Sequence, residues 1–220
     1  MDHGHQHRGP GQRAGLRPGA VIAAARSLVE REGLAALTMR RLAGDLGVAP
    51  NTLYSHFADK TALLDAVLDD VIGEIQPPDP HAVDWAEGLV ALMGQTRRLL
   101  LDHAELIPLV LSRPRRGTNA IRLGEVTLQL LARGGIHGQR AVQALRALLI
   151  YSFGFAALQA PWLTEPQPDQ RRARSQAALA AAPQEFPNVA RLAALLGRPP
   201  TDQDFQAGLR WLLAGITERT

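Results

Sequence analysis

The stretch LTMRRLAGDLGVAPNTLYSHF, residues 37–57, decides the reading of the whole chain. Thr38 is placed to cap a helix from Met39 to Leu46. Ala43 is small, so a second helix can come close, and Gly47 can take the positive φ that ends the first one. Pro50 opens a short helix, about Pro50 to His56, at a position where its missing N–H costs nothing. Leu42, Leu46, Val48, Leu53 and Phe57 can pack inward. The result is a helix-turn-helix pattern, which presents its second helix to the major groove of DNA.

The outward residues of that second helix have the chemistry for the task. Pro50 can pack on a thymine methyl, Asn51 can pair bidentately with adenine, and Thr52 can donate to a phosphate. Tyr54 and His56 share an exposed side from which phosphates are in reach. Arg40, one helix earlier, can reach the backbone or a base edge. Lys60 sits in the first turn of the following helix, where a cation is disfavoured by the helix dipole and an external anion suits it better. Other uses of the same residues stay open: Asn51 as a helix cap, Tyr54 as a half-buried core residue, Arg40 and Arg41 as a solvated face.

Outward from this stretch nearly everything reads as helix, and no segment alternates with period two for long. A first helix runs from about Pro18 to Glu32, with Val21, Ile22, Ala25, Leu28 and Val29 as its apolar stripe and Gly33 as its stop. Asp59 caps a fourth helix from Lys60 to about Ile75. Pro77-Pro78-Asp79-Pro80 then breaks the chain, and the boundary between two regions is placed there. The second region is read as helices from Asp84 to about His103, Glu105 to Leu111, Asn119 to Arg133, Gln139 to Gln159, Val189 to Leu196 and Asp202 to Ile216. Residues 161–188 are read as a loop with one short helix. The fold expected is all-α, with a three-helix head over 17–76 and a larger helical domain over 77–220.

Composition bounds the rest. The 220 residues are 46% hydrophobic and 20% charged, ordinary values for a globular chain. Cysteine is absent, which excludes disulfides, thiol catalysis and Cys-ligated zinc. The start, MDHGHQHRGPGQRAG, has no apolar core and is not read as a secretory leader. No apolar run is read as a membrane span, and a cytoplasmic setting is expected. Net charge is +3, and Lys60 is the one lysine among 24 basic residues. From Arg17 to Lys60 six basic residues face four acidic ones, a net +2, which is a weak electrostatic footprint for nucleic acid. Residues 1–16 read as a disordered tail, with His3, His5 and His7 on alternate positions. Such a tract can bind divalent metal, and Met1-Asp2-His3 can chelate copper or nickel, but a merely solvated tail accounts for it as well.

Positions 17–65 resemble the DNA-binding domain of the TetR family of bacterial repressors. The matching words are Ala43 with Leu46-Gly47-Val48, Thr52-Leu53-Tyr54-Ser55-His56-Phe57, and Lys60 with Leu63-Leu64. The resemblance implies an all-helical homodimer whose two heads grip a palindromic double-stranded operator. It also implies DNA contacts at Thr38, Arg40, Pro50, Asn51, Thr52, Tyr54, His56 and Lys60. More loosely, residues 84–216 resemble the ligand domain of tetracycline-repressor-like members, through Trp85, Ser112-Arg113-Pro114, Gly134-Gly135-Ile136 and Ala207-Gly208-Leu209. The places where those proteins hold a drug–magnesium chelate carry Leu92, Thr96 and Leu109 here. An apolar or mildly polar effector is therefore expected instead, at Leu92, Thr96, Leu109, Arg113, Leu123, Tyr151 and Phe155.

The helix at 139–159 is apolar around much of its circumference, and a helix apolar on more than one face needs more than one partner. A homodimer contact is expected at Leu145, Leu149, Phe153, Phe205, Leu209, Leu212, Leu213 and Ile216, with Gly154 and Gly208 allowing close approach. Enzymatic motifs are not found. His56, His81, His103 and His137 have no i, i+4 partner of a zinc helix, and Asp102 and Glu105 do not make a catalytic pair with His103. No catalytic residue, metal site or cofactor is assigned. Two other readings remain open: a helix-turn-helix that grips protein, and a ligand-dependent activator.

Overall fold

The computed structural model describes residues 16–113 and 116–217. The histidine tract and Pro114 lie outside the described residues. The helices are α1 (Pro18–Glu32), α2 (Met39–Asp45), α3 (Pro50–Tyr54), α4 (Lys60–Ile72), α5 (Trp85–Asp102), α6 (Ile107–Ser112), α7 (Thr118–Arg133), α8 (Gly138–Leu163), α9 (Pro168–Leu179), α10 (Pro187–Arg191), α11 (Ala193–Leu196) and α12 (Asp202–Thr217). A 3-10 turn, Ala104–Leu106, precedes α6. The chain is all-α, and no strand occurs among the described residues.

Two compact units divide between Val67 and Leu68, inside α4 and ahead of the proline run. Prolines mark a break in secondary structure, whereas the boundary follows packing. The first unit is built on Val21, Ala25, Leu28 and Val29 of α1, Leu42 and Ala43 of α2, and Leu53 of α3, all buried. The second is layered around α5. Leu89, Leu92 and Met93 of that helix form one core with Leu130 and Leu131 of α7, Leu148 of α8 and Phe205, Leu209 and Leu213 of α12. Asp84 caps α5, accepting from the backbone N–H groups of Ala86 (2.9 Å) and Glu87 (3.1 Å).

Three elements differ from the sequence reading. Residues 161–188 hold the last turn of α8 and the twelve-residue α9, which buries no residue. A helix without an apolar face leaves no periodic signal. Pro161 lies inside α8, and its carbonyl accepts from the Arg171 guanidinium at 2.9 Å. The third difference is α8 itself. Residues 147–164 are uncharged, and α8 is long and apolar enough to cross a membrane by length and composition, contrary to expectation. In the fold it packs against α5, α6, α7 and α12 and buries Ser152 and Gln159, both hydrogen-bonded.

One carboxylate joins two helices of the second unit. The start of α7 has Gly117 as its cap, without a side chain to satisfy the first N–H groups. Asp69 of α4 does so from outside, accepting from the backbone of Asn119 (3.2 Å) and Ala120 (3.0 Å). Asn119 returns its amide N–H to the Asp69 carbonyl at 2.9 Å. A Cβ on residue 117 would lie 2.0 Å from the Asp69 carboxyl carbon, so glycine is required there. A reciprocal box opens α12: Thr201 Oγ1 accepts from Asp204 N–H at 3.2 Å, and Asp204 accepts from Thr201 N–H at 2.8 Å.

Two stability predictions follow from these caps. Asp69→Ala is expected to cost about 1–2 kcal/mol in denaturant unfolding, with Asp69→Asn losing less because one acceptor remains. Asp204 is held well below the usual carboxylate range, first by its bond to Arg198 and then by those from Thr201. A depressed carboxylate stabilises the fold above its unfolded pKa, about 4, and the contribution fades as pH falls below that. Thermal melts should therefore separate Asp204→Ala from the parent most at pH 7, and the gap should narrow steadily as pH falls from about 4 towards 2.

Candidate functional site

The helix-turn-helix is held by two backbone devices. Thr38 Oγ1 accepts from Arg41 N–H at 3.1 Å and caps α2. At the other end Gly47 has φ of +66°. Its N–H reaches Gly44 O at 3.1 Å, and Val48 N–H reaches Ala43 O at 3.0 Å. This is a Schellman turn, which needs a left-handed residue after the cap. Pro50 is in the first turn of α3, Leu53 is fully buried and Phe57 is buried behind it, so one face of α3 is anchored and the other is presented. Asp59 caps α4 through Ala62 N–H at 2.8 Å.

All the expected DNA-facing residues are solvent-accessible. Thr38, Arg40, Pro50, Asn51, Tyr54 and His56 are exposed, and Thr52 and Lys60 are intermediate. Tyr54 is 50% exposed, half of it accessible from outside. Asn51 does not cap α3, whose cap is Ala49. Arg41 is committed elsewhere: it binds Asp45 at 3.0 Å and Glu32 at 2.9 Å. The bond to Asp45, then the charges of Asp45 and Glu32, hold its guanidinium above the ordinary range. Arg40 and Lys60 make no ion pair with the described residues.

The second unit encloses a cavity of about 210 Å³ between the end of α4, α5, the 3-10 turn, α6, α7 and α8. Among the expected effector residues, Leu92, Thr96 and Leu123 line it. Leu109, Arg113, Tyr151 and Phe155 do not. Tyr151, Phe155 and Phe205 form an aromatic cluster with centroids 5.2–5.8 Å apart. Arg97 lies over it, 4.8 Å from the Phe205 ring centre, and bonds Gln159 (2.7 Å) and Asp202. Burial pushes the Tyr151 phenol up, and its hydroxyl donates to Phe205 O at 2.9 Å. Sequence reasoning missed His103 and Thr127 as lining residues. Thr127 sits on the buried face of α7, a signal that was available; His103 depends on how the 3-10 turn folds back.

The residues expected at a dimer contact are revised. Phe205 (2% exposed), Leu209 and Leu213 are buried inside the single chain. Leu145, Leu149 and Phe153 line the cavity, and Leu212 and Ile216 pack against the core. Gly208 makes room for the Tyr151 hydroxyl of the same chain. The exposed apolar side chains of these helices are instead Val142, Ile150, Leu158 and Leu163 on α8 and Trp211 on α12. Periodicity reports how much of a helix is apolar, not which stripe the chain's own neighbours consume.

Residues 21–67 match the family described as bacterial regulatory proteins, tetR family, and residues 77–220 match the tetracyclin repressor-like C-terminal domain. An HTH-type transcriptional regulator of Saccharopolyspora erythraea is 32% identical over 201 residues, spanning 89% of this chain and 82% of that one. Among solved structures, the TetR family protein ActR of Streptomyces coelicolor in complex with actinorhodin superposes with a TM-score of 0.86. It is 30% identical, covering 92% of this chain and 96% of its own. BioQ with its double-stranded DNA operator has a TM-score of 0.67 and 25% identity, covering 93% and 99%.

The turn supplies its own test. Gly47→Val places a branched side chain at positive φ, at a cost of about 1–2 kcal/mol. Denaturant unfolding of the variant should show a loss of that size; an unchanged midpoint would mean that the turn can be made another way.

Proposed function

This chain belongs to the TetR family of bacterial regulatory proteins, and we propose that it is a ligand-responsive repressor acting in the cytoplasm as a homodimer on a palindromic operator. The observation that carries the reading is the anchored α3. Leu53 and Phe57 fix one face, while Asn51, Tyr54 and His56 are exposed on the other, with Arg40 and Lys60 unpaired beside them. Pro50 and Asn51 read bases, and Thr38, Thr52, Tyr54, His56 and Lys60 hold phosphates. Two heads placed about 34–36 Å apart meet successive major grooves on one side of the duplex. The likeness to BioQ with its operator and to ActR with actinorhodin supports a DNA partner and a small-molecule effector.

The effector enters the cavity of the second unit and favours one of two states that differ in affinity for DNA. Helix α4 is the lever. It begins in the head, and its last turns, through Val71 and Ile72, form part of the cavity wall. The Asp69 clamp ties those turns to α7, which lines the same cavity. The exposed stripe of Ile150 and Leu158 (each 71% exposed), with Trp211 (76%), serves the contact between copies.

Fluorescence anisotropy on the DNA upstream of the protein's own gene, at two salt concentrations, tests the reading. Site-preferring binding that weakens steeply with salt is expected, because phosphate contacts release counterions. Salt-independent binding, or no preference over random DNA in a genome-wide fragment set, would sink it. Asn51→Ala is expected to relax specificity at one base pair and cost about 1–3 kcal/mol per head. Lys60→Ala should weaken all sequences alike and flatten the salt slope by about one unit. Equal behaviour of the two variants would remove the division between base and phosphate contacts.

A further inference from the structure

Resting on the reading of the second unit as an effector domain, we propose that the effector is a lipophilic, non-anionic molecule that carries hydroxyl groups as hydrogen-bond donors. Three observations combine. First, no Lys, Arg, Asp or Glu lines the cavity. An anion placed there gives up its water with no lysine or arginine to receive it, and the one imidazole in the lining already has two carboxylates beside it. The buried cation of α5, Arg97, is outside the lining and already engaged by Asp202, Gln159 and the Phe205 ring.

Second, the two lining hydroxyls have spent their protons. Thr96 Oγ1 donates to Leu92 O at 2.9 Å, and Thr127 Oγ1 donates to Leu123 O at 2.7 Å. A hydroxyl has one proton and two lone pairs, so what each threonine offers a ligand is an acceptor. Third, the polar end of the cavity has an unfilled acceptor beside it. His103 lines that end, with Glu74 3.7 Å from its Nε2 and Glu105 3.8 Å from its Nδ1. Glu105 Oε1 is buried and accepts no hydrogen bond. Neither glutamate is in the lining; the polar group a ligand meets at that end is the His103 imidazole, with the two carboxylates beside it. The polar groups thus agree: acceptors at two walls and an imidazole flanked by carboxylates at one end, inside apolar surroundings. A hydroxylated lipophilic molecule meets all three; its acid analogue meets none.

A matched set on one carbon frame tests this by calorimetry on the full chain: 2,6-dihydroxynaphthalene, 2,6-dimethoxynaphthalene and naphthalene-2,6-dicarboxylate. The diol is expected to bind at least about tenfold more tightly than the diether, and the dicarboxylate not at all. Thr96→Val and Thr127→Val keep the shape and remove the acceptor. Each should narrow the diol-to-diether ratio by about three- to tenfold. Diether or dicarboxylate binding as tight as the diol's overturns the ligand class, as does failure of all three to bind. Gly124→Leu separates the premise from the proposal. Gly124 lines the cavity, and a Cβ there meets nothing within 4 Å, so a larger side chain can start from that position; a thermal melt checks that the variant is folded. Loss of diol binding in this variant is expected. Unchanged binding would show that the ligand sits elsewhere, and the effector-cavity reading would fall on its own.

Discussion

The carboxylate of Asp69 holds the start of α7 against the end of α4, and the walls of the cavity follow from that hold. A helix start leaves N–H groups without internal partners, and burying them unpaired costs on the order of 1–3 kcal/mol each. Most helices solve this with their own cap residue. Here α7 borrows its cap from Asp69, 50 and 51 positions before the two N–H groups it accepts from, across a glycine that leaves no room for a side chain. The position of α7 is thereby tied to that of α4.

Helix α8 shows how one element can satisfy several demands. Its length and apolar run would suit a bilayer, yet its faces are assigned separately in the fold. Leu148 and Ala144 join the core, Leu145, Leu149 and Phe153 line the cavity, and Ile150 and Leu158 stay exposed. The polar groups it buries are paired rather than left to lipid or void. Gln159 meets Arg97, whose guanidinium is also neutralised by Asp202 and stacked on aromatic rings. Charge is thus concentrated on the α12 side of α5 and kept out of the cavity on the other, where hydroxyl lone pairs set the polarity.

In the head, the small net charge is less of an obstacle than the count suggests. Arg41 is neutralised by Glu32 and Asp45, which removes one cation and two anions from the balance. Arg40 and Lys60 remain beside α3. Affinity for a polyanion depends on which charges can reach it, and internal ion pairs do not take part.

The sequence by itself determined the all-helical class, the turn at Gly47 and the anchored α3. Each rests on local chemistry: a left-handed residue, a proline at a helix start, an N-cap threonine and an apolar stripe at helical spacing. The exposed residues of α3 were legible for the same reason, since exposure on a short helix follows from which neighbours must be buried. Only the tertiary structure decided the rest. Thr127 and His103 reach the cavity because α7 and the 3-10 turn fold back on α5, and Tyr151 and Phe155 leave it for a cluster with Phe205. Phe205, Leu209 and Leu213 are consumed by the chain's own core, so Ile150, Leu158 and Trp211 stay outside. Periodicity marks a residue as apolar or polar along its own helix. Which neighbour it meets depends on contacts between segments far apart in sequence, and those exist only once the helices have packed.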